Sequence, residues 1–324
     1  MTNVAARAIG ILVVLLLLWV QVVPSGAAQA DPQASAEQQL ADRYAPITYL
    51  RTQKADCIAP DNAEPYMPVP VEVVLDNPAV VLRDSTTDEV IASGVDAIEL
   101  ATFGPDTYLD WPGDPLQPGC VYERDERARM ADLGAEPTIY ANVLFDPEGQ
   151  RLSLQYWYFY YYNDWNNTHE GDWEGIVIFW DDVDSVEAAL ASPPSRTAYA
   201  QHGGGELAEW DDSKIELEGE THPVVYPAAG AHATFYSNSL YLAWGEQGSG
   251  FGCDYSSPPS TRVETEVVLV PNNPDPNGEF AWLLWEGRWG QRPSQSSQAN
   301  SPLRSGLLGT RITSVSTRVE GGEE

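Results

Sequence analysis

Apolar residues along this chain fall in short runs broken by Pro, Gly, Asp and Asn, the punctuation of a strand-and-turn protein. The strongest run is residues 152–162, LSLQYWYFYYY. Its length and aromatic content predict a long central strand covered on both faces. Further strands are predicted over 173–180, 197–201, 224–228, 261–270 and 279–285, and upstream over 47–50, 69–75 and 79–82. Helical signals are fewer. Residues 40–46 form a short helix stopped by Pro46. The charged stretch 122–133 reads as a surface helix ended by Gly134, and 184–191 as one ended before Pro193-Pro194. Residues 203–205 and 272–278 are turn material, and the Ser/Gln/Pro-rich stretch 291–306 is a loop. No internal repeat and no dividing linker is visible. The expected architecture is mainly β, a β-sandwich with short peripheral helices and long loops.

The N-terminus changes where this domain begins. Arg7 precedes an apolar run over 9–23, Pro24-Ser25-Gly26 breaks it, and Ala28-Gln29-Ala30 follows as an A-x-A site. This pattern predicts a signal peptide over 1–30, cut after Ala30. A loose segment over 31–39, one β-sandwich domain over 40–318 and an acidic tail over 319–324 complete the organisation. No second apolar run reaches spanning length, so the mature chain has no integral membrane span, and it is expected to be secreted and extracellular. Export permits a disulfide among Cys57, Cys120 and Cys253. Of the three pairings Cys57–Cys120 is favoured, since both lie in the N-terminal third of the mature chain.

Composition excludes more than it selects. The 324 residues carry 48 Asp plus Glu against 17 Lys plus Arg, a formal net charge of −31. The only lysines are Lys54 and Lys214, and no basic run exists, so neither nucleic acid nor an anionic membrane has a footprint. Converging carboxylates would instead favour cations, divalent metals among them.

All four histidines, His169, His202, His222 and His232, fall between positions 169 and 232. The sharpest motif is His169-Glu170-Gly171-Asp172-Trp173-Glu174, opening a strand. On a strand Asp172 and Glu174 share a face, about 7 Å apart. Gly171 permits a turn that folds His169 back over the same mouth. One imidazole and two carboxylates form a sound divalent ligand set (Ca, Mg, Mn or Zn), which Asn163 or Asp164 would extend if strands 152–162 and 173–180 form a hairpin. The competing reading is a capping network that binds no ion. Two further stretches place polar groups beside small residues: Gln201-His202-Gly203-Gly204-Gly205, and His222-Pro223-Val224-Val225-Tyr226 with Gly230-Ala231-His232-Ala233. They nominate His202, Gly203, His222 and His232 for ligand contact, joined by Trp173 of the first motif, and His202 or His232 as a general base. No Gly-x-Ser-x-Gly elbow, His-Glu-x-x-His element or phosphate-binding loop is present. Asn166-Asn167-Thr168 is a glycosylation sequon, of consequence only in a eukaryotic secretory route.

Taken in order, several of these motifs resemble the vacuolar protein sorting-associated protein 62 family. They are Leu40-Ala-Asp-Arg-Tyr-Ala-Pro46, Gln155-Tyr-Trp-Tyr-Phe-Tyr160 with Asn163, the 169–174 motif, Gln201-His202, His222 to Tyr226, Gly230 to Ala233, and Trp285-Glu-Gly-Arg-Trp-Gly290 with Ser301-Pro302. The likeness spans residues 40–310. More distantly, His169, Asp172 and Glu174 match the His-x-x-Asp-x-Glu element of the necrosis- and ethylene-inducing peptide-like cytolysins. Those are secreted β-sandwich proteins that bind a divalent metal and sphingolipid sugar headgroups. Here Glu170-Gly171 stands in place of that family's Arg-His, so the resemblance implies the metal ligand set but not toxicity. Three functions follow as expectations: a divalent-metal-dependent protein binding a carbohydrate or glycolipid headgroup, a secreted metal-dependent hydrolase, or a surface module without catalysis.

Overall fold

The computed structural model describes residues 35–53, 57, 63–201, 204–244 and 251–291. The expected signal peptide and acidic tail, His202, Gly203 and residues 292–306 of the expected loop lie outside them. The chain starts with α1 (Ala36–Arg43), β1 (Ile47–Arg51), β2 (Val81–Asp84), β3 (Val90–Ser93), α2 (Ala97–Leu100), β4 (Thr107–Asp110) and α3 (Val121–Leu133). Next come β5 (Thr138–Asp146), β6 (Arg151–Asn163), β7 (His169–Asp181), α4 (Val186–Ala191), β8 (Arg196–Gln201), β9 (Gly204–Glu209), β10 (Leu217–Glu218) and β11 (His222–Pro227). It closes with β12 (Thr234–Phe235), β13 (Leu240–Trp244), β14 (Phe251–Tyr255), β15 (Ser260–Val263) and β16 (Glu266–Leu269). The fold is mainly β with short peripheral helices, as the patterning predicts.

The principal sheet runs β16-β5-β6-β7-β8-β9, with β6 at its centre paired antiparallel to β5 and β7. A second sheet, β10-β11-β1-β15 with β12 on β11, lies against one of its faces. The join is polar as well as apolar: Thr234 Oγ1 donates to the carbonyls of Gly175 and Ala200, and Tyr199 Oη to that of Val224. On the same face Tyr156 Oη donates to Ala41 O of α1 at 2.7 Å. The other face of β6 and β7 packs Phe159 and Trp173 against Trp282 and Trp289. Both faces of β6 are thus covered, and Tyr158 to Tyr162 are all fully buried.

Boundaries moved where local chemistry overrides the apolar pattern. The first helix starts at Ala36 rather than Leu40, because Ser35 Oγ accepts the Gln38 N–H and caps it. The described part of the 31–39 segment is therefore helical, not loose. Two expected strands are instead short 3₁₀ turns, Val71–Val73 and Ala281–Leu284. The expected strand over 261–270 is divided: β15 pairs antiparallel with β1, while β16 pairs parallel with β5 in the other sheet. The helix over 122–133 does end at Gly134, whose left-handed φ of 60° closes the last turn. Cys57 and Cys120 are joined by a 2.05 Å S–S bond beside the start of α3, and Cys253 is a free thiol. No described helix is long and apolar enough to cross a membrane.

Candidate functional site

The hairpin β6–β7 sets the site. Tyr160 pairs with Asp172, Tyr158 with Glu174 and Asn163 with His169, so the strand ends carrying the polar residues lie side by side. Gly171 supplies the remaining geometry. Its φ of +60° interrupts the regular alternation of β7. His169 therefore stands beside Asp172 with Nε2 4.0 Å from Oδ1, while Glu170 is directed away into the core. There the Glu170 carboxylate accepts from Tyr122 Oη at 2.8 Å, Gln291 N at 2.8 Å and Trp111 N at 3.3 Å.

His169 is buried, and its Nδ1 lies 3.0 Å from Gly171 O and 3.2 Å from Glu170 O. Carbonyls only accept, so Nδ1 carries the proton and Nε2 presents its lone pair toward Asp172. Burial, the largest influence, lowers the pKa of this imidazole and keeps it neutral. Among the described residues the hydrogen bonds of Asp172 go to Oδ2, which accepts from His232 Nδ1 at 2.9 Å and from Asn163 Nδ2 at 3.2 Å. Burial would raise the pKa of Asp172, but the His232 hydrogen bond and the neighbouring histidines outweigh it, and the group is held below its ordinary range. Two acceptors, His169 Nε2 and Asp172 Oδ1, therefore face each other with no proton between them. Metal-bound histidines characteristically donate their other N–H to a carbonyl in this way.

His232 is fully buried between two acids. Its Nδ1 meets Asp172, its Nε2 lies 3.4 Å from Glu64 Oε2, and its ring stacks on Tyr160 at 3.8 Å. Burial pushes its pKa down, but the Glu64 charge and the Asp172 hydrogen bond raise it to about 10. At neutral pH it is an imidazolium without a lone pair, so the general-base role expected from sequence does not fit it. Glu174, half-buried on the Asp172 face, has its pKa raised well above normal by burial and then by the Asp172 charge. Asp164 sits at the end of β6 with its N–H on Gly230 O. Desolvation and the Glu64 charge push its pKa up to about 6.

Two nominated residues lie elsewhere. Trp173 is 3% exposed on the opposite face, inside the Phe159–Trp282–Trp289 cluster, and is out of reach of any ligand. The alternation that puts Asp172 on the site face puts Trp173 in the core. His222 Nδ1 donates to Ala45 O at 2.7 Å and ties β11 to the turn between α1 and β1. Sequence reasoning missed Glu64 and Asp254, both buried near these groups. Glu64 lies in a Pro- and Asp-rich stretch far from the histidines, and no local pattern marks it.

Among the described residues, the three potential donors lying within 4.8 Å of one another are Cys57, Cys120 and Glu123. They are no metal centre, because the sulfurs are bonded to each other and neither is a thiolate. His169 and Asp172 approach more closely than that. Glu174 is not part of such a three-donor group among the described residues.

No family model matches the chain, and neither does any curated protein. Structural likenesses are to necrosis- and ethylene-inducing proteins. NLPPya in complex with glucosamine aligns at 12% identity over 86% of this chain and 89% of that one, with a TM-score of 0.38. The Necrosis and Ethylene inducing Protein 2 from the causal agent of cocoa's Witches Broom disease aligns at 10% identity over 85% and 89%, TM-score 0.37. A toxin-fold structure for microbial attack and plant defense aligns at 14% over 74% and 76%, TM-score 0.36. None of these comparisons supports the expected likeness to the vacuolar protein sorting-associated protein 62 family.

Proposed function

We propose that this is an exported protein that binds a divalent cation through His169, Asp172 and Glu174, and through that cation a carbohydrate. The observation that carries the reading is the His169 Nε2–Asp172 Oδ1 pair. These two acceptors face each other across 4.0 Å, each with its other end tied by hydrogen bonds. An ion about 2.4 Å from each donor, a calcium-like distance, spans that separation, whereas a smaller ion at about 2.1 Å would draw the two donors closer together. Asn163 is committed to Asp172, which leaves Asp164 as the further oxygen ligand within the motif.

Three protein donors leave an octahedral ion with open positions, which it fills with oxygen from water or ligand. Anionic ligands are disfavoured by the surrounding Glu64, Asp164 and Asp254 and by the net charge of −31. Neutral, hydroxyl-rich molecules carry no such penalty, which is why a sugar is the proposed partner. Binding rather than hydrolysis is favoured because His232 is occupied between two carboxylates.

The test is metal content of residues 31–324, purified without a histidine tag, beside a His169→Ala/Asp172→Ala variant of verified fold. About one equivalent of a divalent metal in the parent and none in the variant is the expected result. A parent that takes up no Ca, Mg, Mn or Zn overturns the cation centre. A variant that merely melts earlier, with no change in metal, assigns the motif to fold maintenance.

A further inference from the structure

The cluster contains a second layer that neither coordinates nor contacts solvent. Glu64 is fixed by its own turn: Oε1 accepts from Tyr66 N at 2.8 Å and Oε2 from Gly230 N at 2.6 Å. The Gly230 N–H bond holds the Gly230–His232 turn, and the same Oε2 faces His232 Nε2 at 3.4 Å. His232 adopts a left-handed φ of 54°, which a non-glycine residue takes only where its surroundings impose it. The stack on Tyr160, with ring planes within 4°, fixes the remaining rotation. The imidazole is thereby locked with Nδ1 on Asp172 Oδ2.

We infer that Glu64 and His232 are positioning residues, which hold Asp172 Oδ2 so that only Oδ1 is presented to the cation beside His169. This inference rests on the cation-site reading. Asp172 has two equivalent oxygens and a freely turning carboxylate could offer either or both. With Oδ2 occupied by His232 and Asn163, a single oxygen is aimed at the His169 lone pair, and the ion meets a preset two-donor arm. Partners of this kind typically change metal affinity 10- to 100-fold when removed.

The test is Mn²⁺ binding, read as dissociation constant by electron paramagnetic resonance well below the melting temperature, with folding checked by near-ultraviolet circular dichroism. His232→Ala is expected to weaken Mn²⁺ about 10- to 100-fold. His232→Asn is expected to restore most of that affinity. Asparagine tolerates the left-handed backbone, and its Nδ2 sits where the imidazole Nδ1 does. This rescue is what a merely structural role would not produce, since Asn restores neither the Tyr160 stack nor the Glu64 contact. Should His232→Ala not fold, Glu64→Gln decides, with an expected loss of about 3- to 10-fold in a folded protein. Wild-type affinity in folded His232→Ala, or equal loss in the Ala and Asn variants, overturns the positioning role. Unchanged affinity in Glu64→Gln overturns it likewise. A wild-type protein that binds neither Mn²⁺ nor Ca, Mg or Zn overturns the cation site itself, and the positioning role with it.

Discussion

Replacing Gly171 by alanine is expected to cost about 3–5 kcal/mol of stability and to abolish cation binding in whatever fraction still folds. Two costs add. The residue has a φ of +60°, a conformation that strains any side chain by roughly 1–2 kcal/mol. The new Cβ would also run into the Trp289 carbonyl and lie 2.9 Å from Trp111 Cη2. Neither neighbour is free to yield. The Trp289 segment is held by Gln291, which donates to Glu170 Oε2 at 2.8 Å and accepts the Glu170 N–H at 3.1 Å. Gly290 is packed directly on the Glu170 carbonyl, which closes the other route of escape. Any relief must come from rotating the His169–Asp172 segment, and that separates the two facing acceptors. Gly104→Ala is the control: a Cβ there meets nothing within 4 Å, and a change within about 0.5 kcal/mol is expected. Urea unfolding of both variants, with Mn²⁺ titration of the folded fraction, checks the pair. Wild-type stability in Gly171→Ala would show that the kink in β7 is not what sets the site.

That kink also shows what a sequence discloses and what it conceals. The pairing of His169 with Asp172 was readable because the glycine that permits it lies between them. The aromatic strand and the 122–133 helix were readable because each carries its own pattern and stop signal. Failures came where a short turn buries all but one of its residues, Glu72 and Leu284 being the exposed ones. Val71, Val73, Val74 and Leu75 are all buried, and so are Ala281, Trp282 and Leu283. So short a run, apolar at nearly every position, shows no clear period, and a compact turn then looks like a strand. The break between β15 and β16 was hidden for a different reason. The chain changes sheet between Val263 and Glu266, a decision made by its partners β1 and β5 rather than by its own residues. Glu64 is the same case at the site: its role comes from contacts with Gly230 and His232, more than 160 positions away.

Stability is expected to fall as pH rises from 5 to 8 with cations chelated, the reverse of a protein held by ordinary carboxylate salt bridges. Glu126 makes the argument most directly. It is 2% exposed, its Oε1 accepts only a long bond from Met67 N at 3.3 Å, and Oε2 has no hydrogen-bond partner. Burial, and then the nearby Glu64 charge, raise its pKa well above the ordinary carboxyl value. Burial acts the same way on Glu170 and Glu174. The native state thus keeps protons that the unfolded chain releases above about pH 4.5, and the stability they contribute is present below that pH and lost as pH climbs. His232 has the same sign: its contribution is complete below about 6.5 and disappears as pH rises toward its raised value of about 10. Three groups oppose the trend; one is Asp84, held low by the Thr87 and Thr86 N–H groups and, like Asp172, acting only below this window. Asp172, held low, loses stability only as pH falls through its own range, and His169, also lowered, opposes only below about 6.5. Each net proton retained changes stability by about 1.4 kcal/mol per pH unit, so one net proton over this window amounts to up to about 4 kcal/mol. Urea midpoints at pH 5, 6.5 and 8 in chelator measure the slope. Glutamine has the shape of the protonated acid, so Glu126→Gln is expected to flatten the slope by about one proton and to exceed the parent in stability at pH 8. A midpoint that climbs with pH, or a Glu126→Gln profile parallel to the parent's, would show that Glu126 is ionised in the native core and that its unpartnered oxygen is compensated by other means.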